Sequence, residues 1–256
     1  MNTKPVAFRS GFRTITPYLL PPGPEFLDFL KRVFDAEETG RTDTGPGRFH
    51  AEYRIGDSLL MVGGGSGRSM PICLTVYVRN VDEVYQRALN AGCVELEAIR
   101  DDYGDRFGCL QDTAGNQWVI ATHLGRNYIR DGRNSVTVSF VVNGAAKLID
   151  FLKQAFNAQE IERYEWPNGF YASVEIGNSV VGVSEPTNHE WMRPMPAMIY
   201  MYVPDCDALY DQAIRAGAKS ISPLSDQAYG DRHGAVQDVW GNQWYIATPI
   251  PKPSRE

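Results

Sequence analysis

Tyr103-Gly-Asp-Arg-Phe-Gly-Cys-Leu-Gln-Asp-Thr-Ala-Gly-Asn-Gln-Trp-Val-Ile-Ala-Thr122 returns as Tyr229-Gly-Asp-Arg-His-Gly-Ala-Val-Gln-Asp-Val-Trp-Gly-Asn-Gln-Trp-Tyr-Ile-Ala-Thr248, identical at 14 of 20 positions with a constant offset of 126. Unrelated segments do not agree in this way. Working outward, Phe29-Leu30-Lys31 matches Phe151-Leu152-Lys153, Ile55-Gly56 matches Ile176-Gly177, and Ala91-Gly92 matches Ala216-Gly217. The offsets drift by a few residues, as loops allow. The whole of each half takes part, so the chain reads as a tandem duplication of one domain. The expected units are residues 1–125 and 133–256, joined by a polar linker within 124–134.

Each copy carries two rounds of one pattern. Phe26, Phe29, Leu30, Val33 and Phe34 form the stripe of a helix packed on one face, repeated as Leu148, Phe151, Leu152, Ala155 and Phe156. Alternation then sets Ala51, Tyr53 and Ile55 on one side of a strand and His50 and Glu52 on the other, with Gly56-Asp57 as a hairpin turn. Gly63 to Gly67 reads as a flexible crossover loop, without the Lys-Ser/Thr ending of a phosphate cradle. A strand over 72–78, a helix capped near Asn80 or Asp82 and stopped at Ala91-Gly92, and strands over 108–111 and 117–121 complete the copy.

The bulk numbers narrow the partners. With 256 residues, 43% of them hydrophobic, and a formal charge of −6, the chain can bury two cores but offers no basic face. A nucleic acid or an anionic membrane is therefore not the expected partner. Four cysteines without CxxC spacing suggest neither a disulfide framework nor a zinc knuckle, and point to a reducing cytoplasm. No run has the length of a membrane span.

The strand beginning His50-Ala-Glu-Tyr-Arg-Ile-Gly-Asp, the Val78-Arg-Asn-Val-Asp82 helix start, Tyr103-Gly-Asp-Arg106 and Asp112-x-x-Gly-Asn-Gln-Trp-x-Ile-Ala-Thr-His123 resemble the glyoxalase and bleomycin-resistance, or vicinal oxygen chelate, superfamily, nearest its PhnB-like branch. The resemblance implies an α+β fold of two tandem glyoxalase-like domains. Each would hold paired βαβββ modules with a curved, mixed, mostly antiparallel sheet around a cleft. It also implies a pseudo-dimer within one chain, open to further oligomerisation. Metal-using relatives carry ligands where this chain has Val119, Tyr245, Cys73, Met198, Ile15 and Val136, so no metal ligand is assigned and no cofactor is expected. A divalent metal would need a relocated site.

His50 and Glu52, two apart on one strand, are the candidates for an acid/base pair, with hydrogen-bonded packing as the bland alternative. Arg106 and Arg232 offer anion clamps for a substrate, or else fasten the loop they belong to. Tyr171, Tyr245, His123 and Trp191 complete the candidate binding residues. The segments Tyr164 to Tyr171 and His189 to Met195, aromatic and Met-rich, would sandwich a planar ligand or glue the domains together. Two functions follow from these residues. One is a lyase or isomerase moving a proton next to a carbonyl or carboxylate; the other is a protein that sequesters an aromatic or antibiotic-like molecule unchanged.

Overall fold

The computed structural model describes residues 9–189 and 192–250. The first half runs β1 (Ile15–Leu19), α1 (Glu25–Phe34), β2 (Glu37–Gly45), β3 (Arg48–Ile55), β4 (Ser58–Gly64), β5 (Cys73–Tyr77), α2 (Val81–Asn90), β6 (Val94–Asp102), β7 (Asp105–Gln111) and β8 (Gln117–His123). The second half repeats that order with β9 (Val136–Val141), α3 (Ala145–Phe156), β10 (Gln159–Trp166), β11 (Gly169–Ile176), β12 (Ser179–Ser184), β13 (Met198–Tyr202), α4 (Cys206–Arg215), β14 (Lys219–Asp226), β15 (Asp231–Gln237) and β16 (Gln243–Pro249). The fold is α+β with two eight-stranded sheets, as expected.

The sheets and the sequence halves divide the chain differently. The first sheet has the order β14-β15-β16-β13-β1-β4-β3-β2, and the second β10-β11-β12-β9-β5-β8-β7-β6. Each therefore joins one βαβββ module from each half, through the antiparallel pairs β1–β13 and β5–β9. Helices and one large apolar core lie on one side of both sheets. Within the first half, Phe29 and Phe34 of α1 pack on Trp118 of β8 at 6.0 and 4.7 Å between ring centroids. Within the second, Phe156 and Phe140 pack on Trp244 at 4.7 and 5.4 Å. Helix-side packing thus unites each half, whereas strand pairing ties the halves to each other.

Asn80 caps α2 by accepting from the Glu83 amide, and Gly92 takes φ 94° after the helix stop. One sequence expectation needs correction, and four strands carried no expectation. The glycine run is not wholly loop, because β4 continues through Gly64, where the Phe49 ring lies so close that a Cβ would meet it at 2.2 Å. The polar edge strands β2, β10 and β14 are mostly exposed and carry little apolar alternation, while β6 is exposed or half-buried along its whole length, so burial did not mark them in the sequence. Among the described residues, no helix is long and apolar enough to cross a membrane.

Candidate functional site

The faces opposite the helices form two concavities that are related by the repeat and differ in content. Over the second sheet lies a cavity of about 720 Å³. Its floor is Cys73 and Thr75 of β5, Val119 and Ala121 of β8, and Ser139 of β9. Its walls include Tyr103, Phe107, Tyr164, Trp166 and Tyr171. Over the first sheet the equivalent space is filled by Phe12, Leu59, Met61, Tyr200 and Tyr202, with Tyr18 and Tyr245 against them.

Strand register shows why. Thr75 pairs with Val119 and Tyr200 with Tyr245, so the repeat sets two small side chains in one sheet against two tyrosines in the other. Likewise Ser139 pairs with Gly182 where Tyr18 pairs with Met61. Small residues at the middle of a curved sheet leave room, and large ones close it. Gly182 has a further role, since a Cβ there would meet the Tyr171 ring at 2.9 Å.

Charges around the open cavity are neutralised internally. Asp105 accepts from the Tyr77 hydroxyl at 3.1 Å, lies 2.7 Å from His123 Nδ1 and pairs with Arg130 at 3.1 Å. The Arg133 side chain, 6% exposed, contacts Ser173, lies 3.8 Å from Glu162 and faces the Tyr171 ring. Arg100 is bound by Glu97 and Asp102 and sits over Phe107. What remains for a ligand is a largely apolar cavity with polar edges. Burial pushes the Cys73 thiol up to about 12, which makes it a poor nucleophile and a poor metal ligand.

The sequence candidates are distributed unevenly. His50 and Glu52 do share the concave face, 3.6 Å apart, but in the filled concavity, with the Tyr18 hydroxyl 3.1 Å from His50 Nδ1 and Arg9 paired to Glu52. Burial alone would raise the Glu52 carboxyl, yet His50 and Arg9 outweigh it and hold it below its ordinary range. Tyr245 belongs to the same filled cluster. Tyr171 lines the open cavity, and His123 braces it through Asp105. Trp191 lies outside the described residues.

Arg106 and Arg232 are not brought to either concavity. Arg106 forks onto Asp82 in the first turn of α2, at 2.9 and 2.7 Å, and also reaches Asp101; Arg232 does the same with Asp207 of α4 and with Asp226. A guanidinium with both sides occupied by carboxylates fastens helix to sheet and has no free fork for a substrate. The segment 124–134, read as a plain linker, supplies Arg130 and Arg133 to the cavity. Aligning Gly11-Phe12 before β1 with Gly132-Arg133 before β9 would have revealed them, because Phe12 fills the other concavity.

The floor offers aliphatic groups, two hydroxyls and one thiol pushed up by burial, while the carboxylates in the walls, Asp102, Asp105 and Glu162, are each paired with an arginine. Among the described residues, no three His, Cys, Asp or Glu side chains are grouped to hold a metal ion.

Residues 134–246 match the family model described as the glyoxalase/bleomycin resistance protein/dioxygenase superfamily. An uncharacterized protein of Mycobacterium bovis is 35% identical over 121 residues, covering 43% of this chain and 80% of that protein. One from Mycobacterium tuberculosis has the same identity, with 71% of that protein covered. Among solved structures, glyoxalase I from Zea mays superposes with a TM-score of 0.68 at 10% identity, covering 91% of this chain and 92% of that one. A putative dioxygenase from Bacillus subtilis gives 0.63 at 13%, covering 92% and 84%. At these identities the structural likeness is one of fold.

Proposed function

This chain belongs to the glyoxalase/bleomycin resistance protein/dioxygenase superfamily, and from that premise we propose that it binds one flat, largely apolar organic molecule in the second sheet's concavity and releases it unchanged. The observation that carries this reading is the pairing of a small, unreactive floor, Cys73, Thr75, Val119, Ala121 and Ser139, with aromatic walls around about 720 Å³. That volume is in the usual range for a small-molecule pocket. Aromatic walls at Tyr164, Trp166 and Phe107 suit a planar ligand. Neutralised charges at the cavity wall favour a ligand without net charge, since an ion would have to compete with pairs already made.

Binding is favoured over a lyase or isomerase because the acid/base candidates, His50 and Glu52, lie in the concavity that the chain's own side chains occupy, away from the open cavity. The same reading is metal-independent. It also treats the halves as a tandem duplicate of the PhnB-like branch, in which one of two ancestral sites has stayed open and the other has been filled.

The test is to titrate the protein with a panel of uncharged planar aromatic and heteroaromatic compounds while following tryptophan fluorescence, then to recover each ligand for mass spectrometry. Saturable one-to-one quenching that is lost in Trp166→Phe, with the ligand recovered intact, is the expected result. Conversion of the ligand, or binding only to strongly anionic compounds, would contradict it.

A further inference from the structure

The filled concavity of the first sheet has the makings of a site of its own. Two carboxylates are buried on its floor, Glu52 at 6% and Asp231 at 5% exposure. Glu52 is paired with Arg9. Asp231 has no ion-pair partner among the described residues; the hydroxyls of Tyr200 and Tyr202 donate to it at 2.8 and 3.0 Å. Buried carboxylates are costly without a counter-charge, so a space holding two of them favours a cation as its occupant. His233 lies on the same concave face, its ring among Tyr200, Tyr229 and Tyr245 at 6.0, 6.1 and 5.9 Å between centroids. It is 9% exposed, and its Nδ1 is buried without a hydrogen-bond partner among the described residues.

What occupies the space is the chain itself. Phe12 lies 5.3 Å from the Tyr202 ring, and the Arg9 guanidinium lies 5.4 Å over Phe12 while pairing with Glu52. Together they present an aromatic ring and a planar cation, a combination found in small aromatic amidines. The Arg9 side chain is 52% exposed and Phe12 is buried, so the cation lies at the rim of the space and the ring within it. Gly11, at φ 85°, provides the bend just before Phe12.

We propose that the first sheet's concavity is a second binding site, for an aromatic body carrying a planar amidinium or guanidinium, and that Arg9 and Phe12 are its resident occupant, displaced when such a molecule binds. The site is separate from the open cavity of the second sheet, so either can fail without the other.

Full-length Arg9→Ala/Phe12→Ala protein is titrated with benzamidine and with its neutral analogue benzamide, by calorimetry and by thermal melting. Benzamidine is expected to bind saturably and raise the melting temperature, while benzamide does neither. Adding Glu52→Gln should abolish the effect. The unaltered protein should bind on the order of tenfold more weakly, because its own occupant competes for the site. If the double variant does not fold, Arg9→Ala alone takes its place with the same expectations. A folded variant that ignores benzamidine, or that binds benzamide equally well, overturns the proposal.

Discussion

Trp118 and Trp244 show what the repeated closing motif is for. In the first half, Asp112 accepts from the Trp118 indole at 2.8 Å, from the Asn116 side chain and from the Ala114 and Asn116 amides, while Asn116 accepts from Ile72. Asp238, Asn242 and Trp244 reproduce the arrangement. Burial pushes both carboxyls up despite these donors. The most faithfully repeated residues therefore hold the frame, and the chemistry lies in those that differ. Trp118→Ala should cost about 3–5 kcal/mol in urea unfolding while leaving the open cavity's floor in place. His233 stands where the first half has Phe107, and burial lowers its pKa from the ordinary 6.5. Between the two values the unfolded chain binds more protons, so stability is full above about pH 6.5 and falls as acidification proceeds toward the lowered native value. His233→Phe should flatten the dependence of melting temperature on pH between 8 and 5.5, and should not weaken the protein at pH 8, since it removes an orphaned buried nitrogen. An unchanged pH slope in that variant would refute the assignment.

Helices and strands differ in how far the sequence announced them. The stripes of α1 and α3, the cap at Asn80 and the turn at Gly56-Asp57 were legible because each rests on a local rule. Polar edge strands were not, since one exposed face and an exposed edge leave no apolar alternation to read. The two matched helices offer a clean test. Asp205 accepts from the Ala208 amide at 2.9 Å and Asn80 from the Glu83 amide at 3.3 Å. Replacing either by Ala should cost about 0.5–2 kcal/mol, the larger loss falling at Asp205, whose bond is shorter. Chemical denaturation of the two variants measures both losses, and a neutral Asp205→Ala would show that helix entry is fixed by packing instead. At the site, alternation alone sets His50 and Glu52 on the strand face opposite Ala51, Tyr53 and Ile55, and the structure has the latter three in the helix-side core. Which concavity stays open depends on Thr75 against Tyr200 and Val119 against Tyr245, a comparison that needs the register of strands far apart in sequence.

At the scale of the molecule, two kinds of joint hold the chain together. Helix-side ring packing around Trp118 and Trp244 unites each half within one continuous core, and β1–β13 with β5–β9 splice the halves into common sheets. No local motif encodes that splice, which is why the sequence repeat was legible and the exchange of modules between sheets was not. A protease site inserted after Gly125 should therefore yield two fragments that remain associated through gel filtration until denaturant is added; spontaneous separation would contradict the shared sheets. The exchange also gives each concavity walls from both halves, so differences between the repeats can close one and keep the other. The most direct test is calorimetry of the best planar ligand against the parent protein, Val119→Tyr and His50→Ala. Val119→Tyr places in the open cavity the ring that Tyr245 places in the filled one. The account predicts one ligand per chain, binding abolished by Val119→Tyr and unchanged by His50→Ala; binding that survives Val119→Tyr and is lost in His50→Ala would contradict it.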